Sequence, residues 1–328
     1  MRIAVTGGRG RLAPFVIDYF CATGWEVVSF SRSTGDDFRQ VSILAEPRTV
    51  ADFDAILHLA WSTVPLTSEA TPGLEEATDL PLLQDMLDAC EAVPRPPHLV
   101  FFSTGAVYGN TIAPATEQTP CNPLSRYARA KLMAEEIIRT ACVRHRGLRC
   151  SILRVSNVFG STNSSARPQG IIPLICRAIR DGTLMTIWGN GENTKDYLFL
   201  TDFLNAVQAI VAFSLTGIFN VASEQSLSIN NIVSIVEFFT GKKLRLAHRP
   251  AYSWDVVESY ISARKLRTAT GWRPQHDLAE AVRELIEAEL SLPERSRSAE
   301  RCAASTREDA VLLHRPKISF EDDKTESP

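Results

Sequence analysis

The sequence predicts an α/β fold: a doubly wound parallel sheet followed by a smaller, loop-rich C-terminal portion. Three observations carry this. Short apolar or β-branched runs recur with helix-compatible segments between them, a glycine-rich loop follows the first run directly, and after about residue 160 Gly-, Pro- and Asn-rich stretches break the alternation.

Each element has its own reason. RIAVTG (2–7), EVVSFS (26–31), AILHLA (55–60), HLVFFST (98–104) and RCSILRV (149–155) have the length and side chains of buried strands. The segments that follow them run to a dozen residues or more, with 31–50 the least regular, so the strands are joined by crossovers and lie parallel. Residues 1–160 are therefore expected to form a dinucleotide-type domain. Residues 161–293, with GSTNSSARPQG (160–170) and WGNGENTKD (188–196), read mainly as a substrate-covering portion, some of whose segments return to the sheet. The charge-rich stretch 294–328 lacks a sustained apolar period and reads as a disordered tail.

Composition removes several classes of function. The 328-residue chain is 45% apolar and carries a net charge of −3 from 35 basic and 38 acidic side chains, well mixed along its length, so no basic patch for nucleic acid or an anionic membrane is expected. Seven scattered cysteines without a CxxC pair, and six histidines without ligand spacing, argue for reduced thiols and against a metal site. MRIAVTGG enters a strand at once and no apolar run approaches a membrane span, so a cytoplasmic protein is expected.

The first chemical motif is TGGRGRLA (6–13). Gly7 permits a tight turn, Gly10 lets the backbone approach a pyrophosphate, and Ala13 allows the next helix to pack closely; Arg11 and Leu12 complete the candidate loop. The second strand ends in Ser31, Arg32 and Ser33, where an acidic residue would hold an adenosine 2′-hydroxyl. A guanidinium flanked by hydroxyls suits a 2′-phosphate, which favours NADP over NAD; the alternative is a solvated arginine. Tyr127 and Lys131, four apart in PLSRYARAKLMAE (123–135), share one helix face, either as a solvated pair or as two groups aimed into one pocket.

TGGRGRLA, DAILHLA (54–60), STGAVYG (103–109), Glu117 with TPCNPLSRYARAK (119–131), LRVSNVFG (153–160), IWGNGENTKDYLFLTDF (187–203) and GWRP (271–274) stand in that order. In this the chain resembles the extended short-chain dehydrogenase/reductase superfamily, specifically its sugar-nucleotide epimerase/dehydratase branch, from Met1 to about Leu290. The resemblance implies a Rossmann-type fold in which Tyr127 is the acid/base, Lys131 holds the nicotinamide ribose and draws the phenol towards phenolate, and Thr104 bonds the reacting oxygen. It places Leu59, Ala60 and Trp61 beside the cofactor, with Trp61 walling the cleft. Asn157, Lys195 and Arg249 are the expected contacts of a nucleotide-sugar diphosphate, although Lys195 stands where the family usually has Arg. Sugar-nucleotide dehydratases carry an Asp and a Glu after this Thr. Gly105 and Ala106 cannot move protons, which leaves a 4-epimerase acting through a transient 4-ketosugar, then an NADPH-dependent 4-ketosugar reductase; a non-catalytic dinucleotide-sensing protein is the remote alternative. Helices at about 79–93 and 125–146 would pair across a homodimer as a four-helix bundle. His58 reads as a core histidine, and Asp196 and Asp202 as loop anchors.

Overall fold

The computed structural model describes residues 1–32, 39–40, 44–160 and 170–291. Ser33 and the 294–328 tail therefore lie outside the described residues. The chain begins with β1 (Arg2–Thr6), α1 (Ala13–Ala22), β2 (Glu26–Ser31), β3 (Arg39–Gln40), α2 (Pro47–Val50), β4 (Ala55–His58), α3 (Pro65–Ala70) and α4 (Leu74–Glu91). It continues through β5 (His98–Thr104), α5 (Arg126–Arg144), β6 (Arg149–Val155), β7 (Asn157–Phe159), α6 (Ile171–Asp181), β8 (Leu184–Trp188), β9 (Thr194–Phe199) and α7 (Leu200–Ala212). Last come β10 (Gly217–Val221), β11 (Ser226–Ser228), α8 (Ile229–Thr240), β12 (Arg245–Arg249), α9 (Arg264–Thr270) and α10 (Leu278–Ser291).

Seven strands make one parallel sheet in the order β10-β6-β5-β4-β1-β2-β3. Helices cover both faces, so neighbouring side chains on a strand serve different cores. Ile3 and Val5 pack with Val16 of α1 and Phe203 and Val207 of α7, whereas Ala4 between them joins Leu83 and Leu87 of α4 and Ile138 of α5. That double burial explains the unbroken apolar runs read in the sequence.

Sequence order reverses between β1 and β4, the two central neighbours. The carboxyl ends of such strands splay their loops apart and leave a crevice. Here it opens between the glycine loop after Thr6 and the segment after His58. A third core, with Ile175, Ile179, Tyr197, Val236 and Leu285, joins α6, α8 and α10 to β9. Small sheets β11-β9-β7 and β12-β8 carry the other wall of the cleft described below. Asp202 ties α7 to the loop before α10: its carboxylate accepts from the Gln275 and His276 amides at 2.9 and 3.1 Å, and its carbonyl from the Trp272 indole at 3.1 Å. Asp196 accepts from Ser223 N at 3.0 Å in a similar bracing role.

Candidate active site

The glycine loop is shaped by close approach. Gly7 has φ +73°, and a Cβ there would lie 2.9 Å from both the N and Cα of Ala60; at Gly10 it would lie 2.8 Å from the Gly7 carbonyl oxygen. Gly10 N donates to that same oxygen at 2.6 Å, and Gly8 N to Phe30 O at 2.9 Å. Thr6 Oγ1 stitches the crevice from below, accepting from Ala60 N at 3.0 Å and lying 2.9 Å from His58 Nδ1. Backbone thus fills every space near the loop, and the exposed Gly10–Arg11 edge ahead of α1 is left as a cradle without side-chain bulk at the turn. A dinucleotide pyrophosphate fits that cradle. Leu12 instead packs into the sheet core.

His58 is a buried core residue: burial first, then the Lys131 charge, lowers it to about 3, so it stays neutral. At the end of β2, Ser31 is 6% exposed and turned into the fold, leaving Arg32 as the exposed side chain there.

Helix α5 sets the reacting groups. Ser125 caps it, accepting from Ala128 N at 3.2 Å, which fixes Tyr127 in the first turn and Lys131 one turn later on the same face. Tyr127 lines a cleft of about 300 Å3 together with Thr104, Asn157, Lys195, Trp254 and Ile261. Lys131 lies behind it, 3% exposed, donating to Phe102 O at 2.8 Å with its ammonium 3.7 Å from the Trp61 ring centroid. Trp61 does sit against the site, as a cation–π partner of the lysine. Thr104 faces the cleft and caps the turn Gly105–Tyr108, accepting from Ala106 N at 3.2 Å, whereas Ser103 points the other way and donates to Glu135 at 2.5 Å.

The electrostatics of the pair are set by burial and nearby carboxylates. Burial comes first and the carboxylates of Glu75 and Asp79 second, and together they push the Tyr127 phenol up, not down; burial lowers Lys131 to about 7 against the upward pull of Asp79, Glu135 and Glu75. In the ligand-free protein Tyr127 is a phenol. The lysine cannot dominate because two carboxylates and a low-dielectric setting oppose it.

No proton carrier follows Thr104. A Cβ on Gly105 would collide with Ile261 Cδ1, so the space where an acid would project is filled by a methyl group.

A sequence profile of the NAD dependent epimerase/dehydratase family matches residues 3–222. The chain belongs to that family. It is 26% identical over 307 residues to the UDP-glucose 4-epimerase of Mycolicibacterium smegmatis, covering 88% of this chain and 98% of that one. Similarity to a dTDP-4-dehydro-6-deoxyglucose reductase of Escherichia coli is 26% over 190 residues, 57% of this chain and 60% of the reductase. Among solved structures, the UDP-glucose 4-epimerase of Thermus thermophilus in complex with NAD superposes with a TM-score of 0.79 at 26% identity, over 89% of this chain and all (100%) of that one.

The diphosphate contacts expected from the sequence do not all gather. Asn157 lines the cleft, with its amide donating to Asp196 O at 2.9 Å across β7 and β9. Lys195 lines it too, held at 2.7 Å by Asp255 and at 2.7 Å by the Val256 carbonyl. Arg249 stands apart: it is exposed on β12, 5.6 Å above the Trp188 ring, with Tyr252 and Trp254 stacked beyond that ring at centroid spacings of 4.6 Å each. Among the described residues that line the cleft, Trp254 is the member of this stack, and Arg249 is not one of them. What the sequence reading missed is the pair Glu75 and Asp79. Acids four apart on the helix face that also carries Leu83 and Leu87 are the signal that could have found them.

Among the described residues no helix is long and apolar enough to cross a membrane, and no group of three His, Cys, Asp or Glu could hold a metal ion.

Proposed function

We propose that the protein is a nucleotide-sugar 4-epimerase using NAD or NADP, with Thr104, Tyr127 and Lys131 as its catalytic residues. The observation that carries this reading is the cleft wall itself, where Thr104 and Tyr127 stand together while positions 105 and 106 offer no acid or base and Ile261 fills the space beside them. Gly7, Gly10, Arg11 and Leu12, with Leu59, Ala60 and Trp61 opposite, would hold the dinucleotide, and Asn157 and Lys195 the substrate. Bound nicotinamide supplies reversible hydride transfer at the sugar C4. Tyr127 takes the proton of the C4 hydroxyl and returns it, Thr104 bonds the same oxygen, and the buried Lys131 steadies the charge on the phenol oxygen. Because the phenol is held protonated in the ligand-free protein, its first deprotonation depends on the positive charge that binding brings to the cleft. Relatives that match nearly whole chains include UDP-glucose 4-epimerases, which makes a UDP-hexose the first substrate to try.

The test is a turnover assay on purified protein with UDP-hexoses. The C4 epimer should form with no net change in nicotinamide absorbance, and Tyr127→Phe should lose this activity while still binding ligand. Stoichiometric NADPH consumption with a 4-ketosugar, and no epimer from any nucleotide-sugar tried, would instead select the reductase. Exposed Arg32 at the end of β2 is the observation that favours a phosphorylated cofactor, and with it that second reading. Six free thiols among the described residues suit a cytoplasmic setting. A homodimer through α4 and α5 belongs to the same proposal; exposed Met133 and Val143 supply its apolar surface, and sedimentation would report the mass.

A further inference from the structure

Two carboxylates are buried beside the tyrosine–lysine pair, and the reaction proposed above gives neither a role. Glu75 and Asp79 occupy adjacent turns of one face of α4 and are 2% and 6% exposed. Carboxylates are seldom buried to this degree without a partner. Besides Ser68 of α3 beside Glu75, both carboxylates bond to one short segment. Thr63 Oγ1 donates to Glu75 Oε1 at 2.5 Å, while the Ser62 amide reaches both oxygens of Asp79, at 3.1 and 3.0 Å, and the Ser62 hydroxyl reaches Oδ1 at 2.9 Å. The residue just before that segment is Trp61, whose ring lies over the Lys131 ammonium.

We propose that Glu75 and Asp79 are positioning residues: they clamp the Trp61–Thr63 segment against Lys131 and supply the fixed negative charge against which Lys131 and Tyr127 titrate. The inference deepens the reading of the same site given under Proposed function.

Three carboxylates act on the Lys131 ammonium, those of Asp79, Glu135 and Glu75. From α4 it faces Glu75 and Asp79; from its own helix, Tyr127 and Glu135; from β4, His58; from β5, the Phe102 carbonyl and the Phe101 ring. His58 is neutral. Glu135 is already committed to Arg154, at 2.6 Å, and to Ser103. Among the described residues, Asp79 and Glu75 pair with no such cation. The segment they hold is bound to them by three donors, from Ser62 and Thr63.

Sign follows from charge alone. A fixed negative charge raises the pKa of a neighbouring ammonium and of a neighbouring phenol alike, so its removal lowers both. Asp79→Asn keeps shape and an acceptor for the Ser62 amide but deletes the charge. In the cofactor-free protein, the Lys131 ammonium followed by NMR of isotope-labelled lysine should titrate about one unit lower than in wild type. The pH profile of turnover should move to lower pH in the same variant. Ser62→Ala, which removes a hydrogen bond and no charge, should leave the Lys131 midpoint where it is. Glu75→Gln repeats the measurement should Asp79→Asn fail to fold. An unchanged or raised midpoint in a folded charge-deleting variant overturns the inference, as does a fall of the same size in Ser62→Ala. Since the titration needs neither cofactor nor turnover, it can fail while the epimerase assay succeeds, and the reverse.

Discussion

The crevice wall at the ends of β1 and β4 and the wall around the cleft on β9 are built on different principles. On the cofactor side, Gly7, Ala60 and Thr6 meet through backbone atoms and one hydroxyl, at the carboxyl ends of adjacent strands. On the substrate side, Lys195 of β9 meets Asp255, which comes from far along the chain, and Trp188, Tyr252 and Trp254 stack from two separate segments. The first wall is fixed once the sheet forms, because the loop has no other place to go. The second depends on side chains from distant segments finding one another. Under the function proposed above, ligand selectivity is expected in the wall that is easier to vary and the shared chemistry in the wall that is not.

Breaking the cofactor wall should have the largest effect on stability. Gly7→Val puts a branched side chain at positive φ and a Cβ 2.9 Å from the Ala60 backbone, which cannot give way as a flexible side chain would. A loss of about 2–4 kcal/mol is expected from strain and overpacking together, read as a lower midpoint in denaturant with little dinucleotide binding left. A variant within about 0.5 kcal/mol of wild type would show that the loop is not so tightly fixed.

A smaller effect sharpens the same side. Arg32 is its exposed side-chain contribution, so Arg32→Ala should weaken NADP by about 1.5–3 kcal/mol and leave NAD nearly unchanged. Equal changes for both dinucleotides, measured by calorimetric titration, would return Arg32 to the solvated surface.

A third effect belongs to the substrate side and depends on pH. Asp196 on β9 is fully buried, and burial raises its carboxyl to about 6, above the ordinary value of 3.8. Between those values the folded protein binds more protons than the unfolded chain, so this residue makes stability fall as pH rises through the window. Asp196→Asn removes that dependence. Its stability relative to wild type should therefore grow from about pH 4 to about pH 6, by up to about 2–3 kcal/mol, and stay level above it. His58 on the cofactor side works in the opposite sense: with its pKa lowered to about 3, stability is lost as pH falls below the ordinary histidine value. A gain for Asp196→Asn that does not vary with pH would mean that the carboxyl is not raised.

The central strands were legible in the sequence because each is buried on both faces and so must be apolar throughout, and the helices between them because a parallel pairing needs a crossover. The same holds for TGGRGRLA and for Tyr127 with Lys131, whose spacing alone puts two groups on one helix face. Strands β3 and β10 were not picked out: the first is two residues long, and the second joins β6 only after β7, α6, β8, β9 and α7 have intervened.

What the sequence by itself determined was the local part: the turn at Gly7, the face shared by residues 127 and 131, and the lack of a proton carrier at 105 and 106. Tertiary structure alone decided the environment of those groups. It set Arg249 over the Trp188 ring, gave Lys195 to Asp255, and buried Tyr127 near Glu75 and Asp79, so that burial first and those carboxylates second push its phenol up. The physical reason is range. Helix periodicity and backbone sterics act over a few residues and are written in the order of the chain, whereas burial and the field of a buried charge depend on which distant segments come within a few ångströms of one another.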